Sequence, residues 1–296
     1  MSGRPGAQPE LTIAIATLGR ADKLARVLAA CERLTPGTPP FEVVVVVDGD
    51  DPDSTTVAAR PRPFAVRCFS QSRAGAGPAR NRAAAEARGE WLLFLNDDTR
   101  PGPGCLVAHA EARRRRGACI TEGLVSWDSA AEITPYMRWL APAGHQYNYA
   151  RLAADRPVPW DAVWGTNLAV PRGWVLDCPF DAGVPPGCLE DTEWAYRQYR
   201  RGRRCFFVPE AEVLHDHRYT GPGDYRGRAR RFGAAARYVA RRHPLLAWRF
   251  VARPLAAAAV RAASLVLPSR RRCERVWDLD FRLNYLAGLL GRGADG

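Results

Sequence analysis

Apolar positions fall along this chain in two rhythms. Leu11-Thr12-Ile13-Ala14-Ile15-Ala16-Thr17 and Phe41-Glu42-Val43-Val44-Val45-Val46-Val47 are short, nearly continuous apolar runs, while Leu24, Val27, Leu28 and Cys31 recur at helical spacing across residues 20–34. A run buried on both faces, then a helix, then a second such run is the pattern of a parallel sheet with crossover helices. The pattern continues with a strand over 64–69, a helix over 79–88 and a fourth apolar run, Trp91-Leu92-Leu93-Phe94-Leu95, cut off by Asn96-Asp97-Asp98 and then by Pro101, Gly102 and Pro103. Further on, spacing predicts a helix to about residue 116, strands over 119–127 and 162–171, a helix over 189–201 stopped by Gly202, and strands over 205–208 and 212–214. Residues 128–160 are irregular and rich in Pro, Tyr and Trp, and beyond Asp224 the chain reads as helical.

A chain of 296 residues with 47% apolar and 25% charged residues can bury a full α/β core. Its eight cysteines form no CxxC pair, which argues against a zinc site or a disulfide framework and suits a reducing cytosol. Residues 1–10 lack the apolar core of a signal peptide and read as disordered, leaving a domain over 11–225 and a basic segment over 226–296. Charge separates these two: the segment holds sixteen arginines against Glu274, Asp278, Asp280 and Asp295, so the whole net charge of +12 lies there. Such a segment should face something anionic.

Three polar clusters end predicted parallel strands: Thr17 to Arg20, Asp48 to Asp50, and Asn96 to Asp98. Parallel strands share one carboxyl edge, where open α/β sheets bind ligands. Adjacent carboxylates there call for a cation, and a hard divalent ion bound to a diphosphate meets that need. Asp48 suits a nucleobase or ribose, and Arg73 or Arg80 can reach a phosphate or a base. The loop 73–78 matches neither GxGxxG nor GxxxxGK[ST], which argues against a dinucleotide site or a P-loop ATPase. Glu190-Asp191 opens a helix, where acids favour the macrodipole or, alternatively, supply a general base; Trp194 and Tyr196 offer apolar walls beside them. His215 and His217 stand two apart on a strand, so they point the same way, as structural side chains or as metal or diphosphate contacts.

Together these residues resemble the family 2 glycosyltransferases of the GT-A fold. The pieces are Ile13-Ala14-Ile15-Ala16-Thr17, Val45-Val46-Val47-Asp48-Gly49, Ala79-Arg80-Asn81, Gly89-Glu90-Trp91-Leu92-Leu93-Phe94-Leu95-Asn96-Asp97-Asp98 and Leu189-Glu190-Asp191, in the family's order over about residues 11–217. The resemblance implies a Rossmann-like, mostly parallel central sheet flanked by helices, and an inverting sugar transfer from a nucleotide diphosphate donor, with Mg2+ or Mn2+. It implies that Thr17, Asp48 and Arg80 hold the nucleoside, with Arg20 and Asp50 in the same strand-end clusters. Asp97 would contact the ribose and Asp98 the metal, His215 or His217 would complete the metal or diphosphate contacts, and Asp191 would be the base with Glu190 beside it. Asn96, Trp164, Gly165, Asn167 and Trp194 would line the donor and acceptor pocket. Asn96 departs from the family's DXD pattern.

The tail allows two readings. Residues 243–268 combine Leu245, Trp248, Phe250, Leu255, Val260 and Leu265 with Arg249, Arg253 and Arg261 at multiples of four. Three arginines and three prolines argue against a membrane span, which leaves a helix lying on an anionic membrane surface or a helical subdomain packed on the core. The first fits a cytoplasmic enzyme at the inner face of the membrane acting on a lipid-linked or cell-envelope glycan. The competing readings are a sugar-nucleotide nucleotidyltransferase, whose phosphate loop Thr17-Leu18-Gly19-Arg20 does not provide, and a basic nucleic-acid-binding module, for which no motif is present.

Overall fold

The computed structural model describes residues 8–128, 130, 132–141, 144–266 and 272–292. Part of the expected disordered stretch (1–7) and Leu267 and Pro268 of the tail lie outside the described residues. The chain begins β1 (Leu11–Thr17), α1 (Ala21–Cys31), β2 (Phe41–Asp48), α2 (Pro52–Ala58), β3 (Ala65–Gln71), α3 (Ala76–Glu86), β4 (Trp91–Asn96). It continues β5 (Thr99–Pro101), α4 (Cys105–Arg116), β6 (Ile120–Trp127), α5 (Pro135–Leu140), β7 (Asn167–Pro171), α6 (Arg172–Asp177), α7 (Glu190–Arg200) and β8 (Cys205–His215), and closes with α8 (Gly223–Arg242), α9 (Arg253–Ala263) and α10 (Arg272–Leu289).

The eight strands form one sheet in the order β3-β2-β1-β4-β7-β6-β8-β5. Its first four strands are mutually parallel, and β6 and β8 are parallel to each other. The valines of β2 and the Leu92 to Leu95 run are buried on both faces, as continuous apolar strands require. The register sets Thr17 beside Val47 and Ala16 beside Asn96, so all three polar clusters emerge at one edge. Because β7 runs antiparallel to β4, with Asn167 opposite Leu95, the turn before it (Trp164-Gly165-Thr166) arrives at the same edge.

Several elements differ from the sequence expectation. The strand expected over 162–171 is shortened to five residues, because Trp160–Ala162 is a 3-10 turn, and α6 follows it directly. The segments 205–208 and 212–214 are one strand, in which Pro209, lacking an N–H, coincides with the register shift opposite Gly123 and Val125. The short strand β5 was not anticipated. Pro101 can occupy it because β5 is a sheet edge, paired with β8 alone.

The C-terminal helices pack on the core, which favours the subdomain reading for α8 and α10. Phe232, Ala235, Ala236, Val239 and Tyr285 form an apolar cluster with Val184, Cys188, Leu189, Leu246 and Phe250. The two helices meet at Gly233 and Gly288: a Cβ on either would stand 1.9 Å from a backbone oxygen of the other helix, Tyr285 and Arg230 respectively. Apolar side chains remain exposed on the outer side, among them Leu245, Trp248, Leu255 and Val260. No helix among the described residues is long and apolar enough to cross a membrane.

Candidate active site

β5 is what assembles the cluster at the end of β4. Its pairing sets Thr99 opposite His215, and the Asp216 N–H donates to the Asp98 carbonyl at 2.8 Å. The Asp98 carboxylate therefore faces both histidines: Oδ2 is 3.4 Å from His215 Nε2 and 4.0 Å from His217 Nδ1. One donor atom from each of the three residues lies within 4.8 Å of the others. Trp127, stacked at 5.3 Å, and Tyr147, edge-on at 5.7 Å, fix the His215 ring.

Electrostatics separate the two aspartates. Thr17 Oγ1 donates to Asp97 Oδ2 at 2.8 Å, and Arg20 Nη1 reaches Asp97 Oδ1 at 3.1 Å and Asp98 Oδ2 at 3.0 Å. Arg20 thus supplies one of the cations that neighbouring carboxylates require. Burial pushes Asp97 up to about 6, against the opposing charge of Arg20. Burial works against Asp98 too, but the His215 hydrogen bond and the charges of His215, Arg20 and Lys23 outweigh it and hold Asp98 well below the usual carboxylate range. Burial, then the His215 charge, lowers His217 to about 4, which leaves a neutral imidazole with a free lone pair. Asp98 Oδ1 and His215 Nδ1 are buried without a partner. An orphaned carboxylate oxygen beside two imidazoles fits a divalent cation.

Asp48, at the end of β2, accepts from Gln71 Nε2 at 2.8 Å, Ala74 N at 2.9 Å and Gly75 N at 2.7 Å. The glycine-rich loop is therefore folded onto Asp48. Asp50 is exposed at the rim. Its neighbour Asp51, which the sequence reading passed over, caps α2 through Ser54 N at 3.0 Å and accepts from Gly19 N at 2.6 Å, joining the loops after β1 and β2.

A second centre forms at the start of α7. Asp191 Oδ2 accepts from Gly165 N at 2.9 Å, and Oδ1 accepts from Thr192 N at 2.7 Å. Burial, then the neighbouring Glu190 carboxylate, raises Asp191 above the usual range. The preceding residue, Leu189, is held at φ 64°, a left-handed conformation that costs a branched side chain about 1–2 kcal/mol and aims the two acids. Behind Asp191 lies Glu122, fully buried on β6, which burial first and the Asp191 charge further push well above the usual carboxylate range. Its sequence signal was an acid in the middle of a buried strand.

Three expected site residues have other roles. Arg80 is buried and donates to Glu190 Oε1 at 2.9 Å and the Gly165 carbonyl at 3.1 Å. It ties the α7 start to β7 and does not reach toward Thr17 or Asp48; a Cβ at Gly165 would meet its guanidinium at 2.8 Å. Trp194 is a core residue, stacked on Phe180 at 5.0 Å with Nε1 donating to the Cys178 carbonyl, and lines no cleft. Asn167 is also structural: Nδ2 donates to the Ala211 carbonyl at 2.7 Å, and Oδ1 pairs with His109 Nε2 at 3.0 Å. Asn96 turns toward Thr166 and Arg80, away from the histidines. Trp164 does line a cavity beside Asp191.

Comparison with known proteins follows this geometry. Residues 12–154 match the model of glycosyl transferase family 2. No curated protein matches the chain in sequence. Among solved structures, the mannosyltransferase PcManGT from Pyrobaculum calidifontis, in complex with GDP-Man and Mn2+, superposes with a TM-score of 0.67 at 18% identity, covering 96% of this chain and 88% of that one. S. aureus TarS 1-349 in complex with UDP-GlcNAc superposes with a TM-score of 0.56 at 15% identity, covering 96% and 92%. At these identities the likeness is one of fold. Residues 12–154 thus match glycosyl transferase family 2, and the chain as a whole has the GT-A fold.

Proposed function

We propose that the protein is an inverting, metal-dependent glycosyltransferase that moves a hexose from a nucleotide diphosphate donor to an acceptor hydroxyl. The observation that carries this reading is the convergence, at one sheet edge, of two unlike carboxylate centres. Asp98 is ionised and open to a cation beside His215 and His217, while Asp191 is partly buried with a raised pKa. That the structures of PcManGT and TarS contain GDP-Man with Mn2+ and UDP-GlcNAc supports the donor class.

Asp98, His215 and His217 are the residues that would hold the metal, and a mixed oxygen and nitrogen donor set suits Mn2+ better than Mg2+. When bound, that ion neutralises charge on the diphosphate as it leaves. Asp97 and Thr17 orient the ribose, and Asp48 with the loop clamped on it frames the base. Asp191, raised toward working pH, accepts the proton of the acceptor hydroxyl as its oxygen attacks the anomeric carbon from the face opposite the diphosphate, inverting configuration with no covalent sugar intermediate. Arg80 positions Glu190 and the Gly165 turn whose N–H holds Asp191. The basic, apolar outer side of the tail supports action at an anionic membrane surface inside the cell, on a lipid-linked or cell-envelope glycan.

Release of UDP, GDP and dTDP from a panel of sugar donors, with and without Mn2+, tests the reading. One nucleotide should be released only with the metal, and Asp98→Asn should abolish that dependence together with turnover. Metal-independent release from every donor would contradict it.

A further inference from the structure

Between the C-terminal helices and the sheet domain lies a cavity of about 660 Å3. That is the size of a small-molecule site. Its inner wall includes Trp164 and Thr192, the sequence neighbours of the hydrogen-bonded Gly165 and Asp191, so it lies next to the proposed base. Its outer wall carries five arginines (249, 253, 261, 275 and 282) against the acids Asp161, Glu274 and Asp278.

The acids are shared among more cations than they can neutralise. Asp161 pairs with both Arg151 and Arg249. Asp278 accepts from His145 at 2.7 Å and Arg282 at 3.0 Å and also pairs with Arg261. Arg253, at the start of α9, makes no ion pair among the described residues, yet it lines the cavity. An arginine without an ion pair on the wall of a cavity that already holds surplus positive charge favours an anion there, and several arginines around one space suit the multiple oxygens of a phosphate.

We propose that this cavity is the acceptor subsite and that it selects an acceptor carrying a phosphate or phosphodiester, bound by Arg253 while the attacking hydroxyl reaches Asp191. The proposal rests on the glycosyltransferase reading above and goes beyond it in naming the acceptor class. Its phosphate could belong to a soluble polyol phosphate unit or to a lipid head group, and the two sources are separable.

The test is calorimetric titration of glycerol 3-phosphate, with glycerol as the neutral control, into the full chain saturated with Mn2+ and the tightest-binding of UDP, GDP and dTDP. With the diphosphate site filled, the phosphate probe should bind and glycerol should not. Arg253→Glu should weaken the probe at least about tenfold, and the milder Arg253→Gln should weaken it by less. Equal binding of the two probes, or undiminished phosphate affinity in both variants, would overturn the proposal. Vesicles of phosphatidylcholine with phosphatidic acid form the second arm: retention that glycerol 3-phosphate competes away assigns the phosphate to a lipid head group, and its absence, with the free probe bound, assigns it to a soluble acceptor. If no nucleotide binds while the Arg253-dependent anion site persists, the donor reading fails and the site is not an acceptor subsite.

Discussion

Asp98 and Asp191 are the same kind of group given opposite environments. Asp98 lies among cations and imidazoles and stays ionised, whereas Asp191 shares its turn with Glu190 and binds a proton more readily. Neighbours explain residues outside the site as well. His109 is fully buried between Thr121 Oγ1 at 2.8 Å and Asn167 Oδ1 at 3.0 Å, and burial lowers it from 6.5 to about 4. The unfolded chain binds that proton more readily than the folded one, so the stabilisation is complete above about pH 6.5 and is lost as pH falls to about 4. It should amount to about 3 kcal/mol across that window. Urea melts from pH 7.5 to 4 should show stability falling with acid, and His109→Gln should flatten that fall; an unchanged slope would contradict the assignment. That Asp48, Asp97 and Asp98 share one edge was legible in the sequence, because parallel strands end together. Arg80, Asn167 and Trp194 were not, because an arginine, an asparagine or a tryptophan near a motif serves a cleft or a core equally well, and only the tertiary partners decide.

At the scale of elements, most of the parallel half of the sheet could be read directly, since β1, β2 and β4 are continuous apolar runs. The other half could not. β5 is three residues long and contains a proline, so it has neither the length nor the periodicity of a strand, yet its pairing with β8 brings His215 and His217 to Asp98. The seam between α8 and α10 was equally hidden, because a glycine inside a helix reads as a defect until a second backbone is found against it. Gly233→Ala should therefore force the helices apart and cost about 1–3 kcal/mol, as overpacking does. Gly227→Ala, on the exposed face of α8 with only the Arg231 guanidinium near its Cβ, should be neutral or gain up to about 1 kcal/mol. Thermal melts of the two variants check this: similar midpoints would mean that the seam does not hold the helices.

At the scale of the whole molecule, charge and apolar exposure coincide. The segment that carries all the net charge also carries Leu245, Trp248, Leu255 and Val260 at the surface, while its inner face forms one wall of the cavity lined by Trp164 and Thr192. A protein so divided should float with anionic vesicles and not with neutral ones, and Leu245→Asp with Trp248→Asp should release it without altering nucleotide binding. Unchanged flotation of that variant would show that the outer face does not touch lipid. The central claim is that Asp191 is the base of an inverting transfer. It is tested most directly by single-turnover transfer in Asp191→Asn, compared with wild type and accompanied by donor affinity. The account predicts turnover lower by about 10²–10⁴-fold with donor affinity nearly unchanged, and a product of inverted configuration from the wild type. Wild-type turnover in Asp191→Asn, or a product of retained configuration, would contradict it.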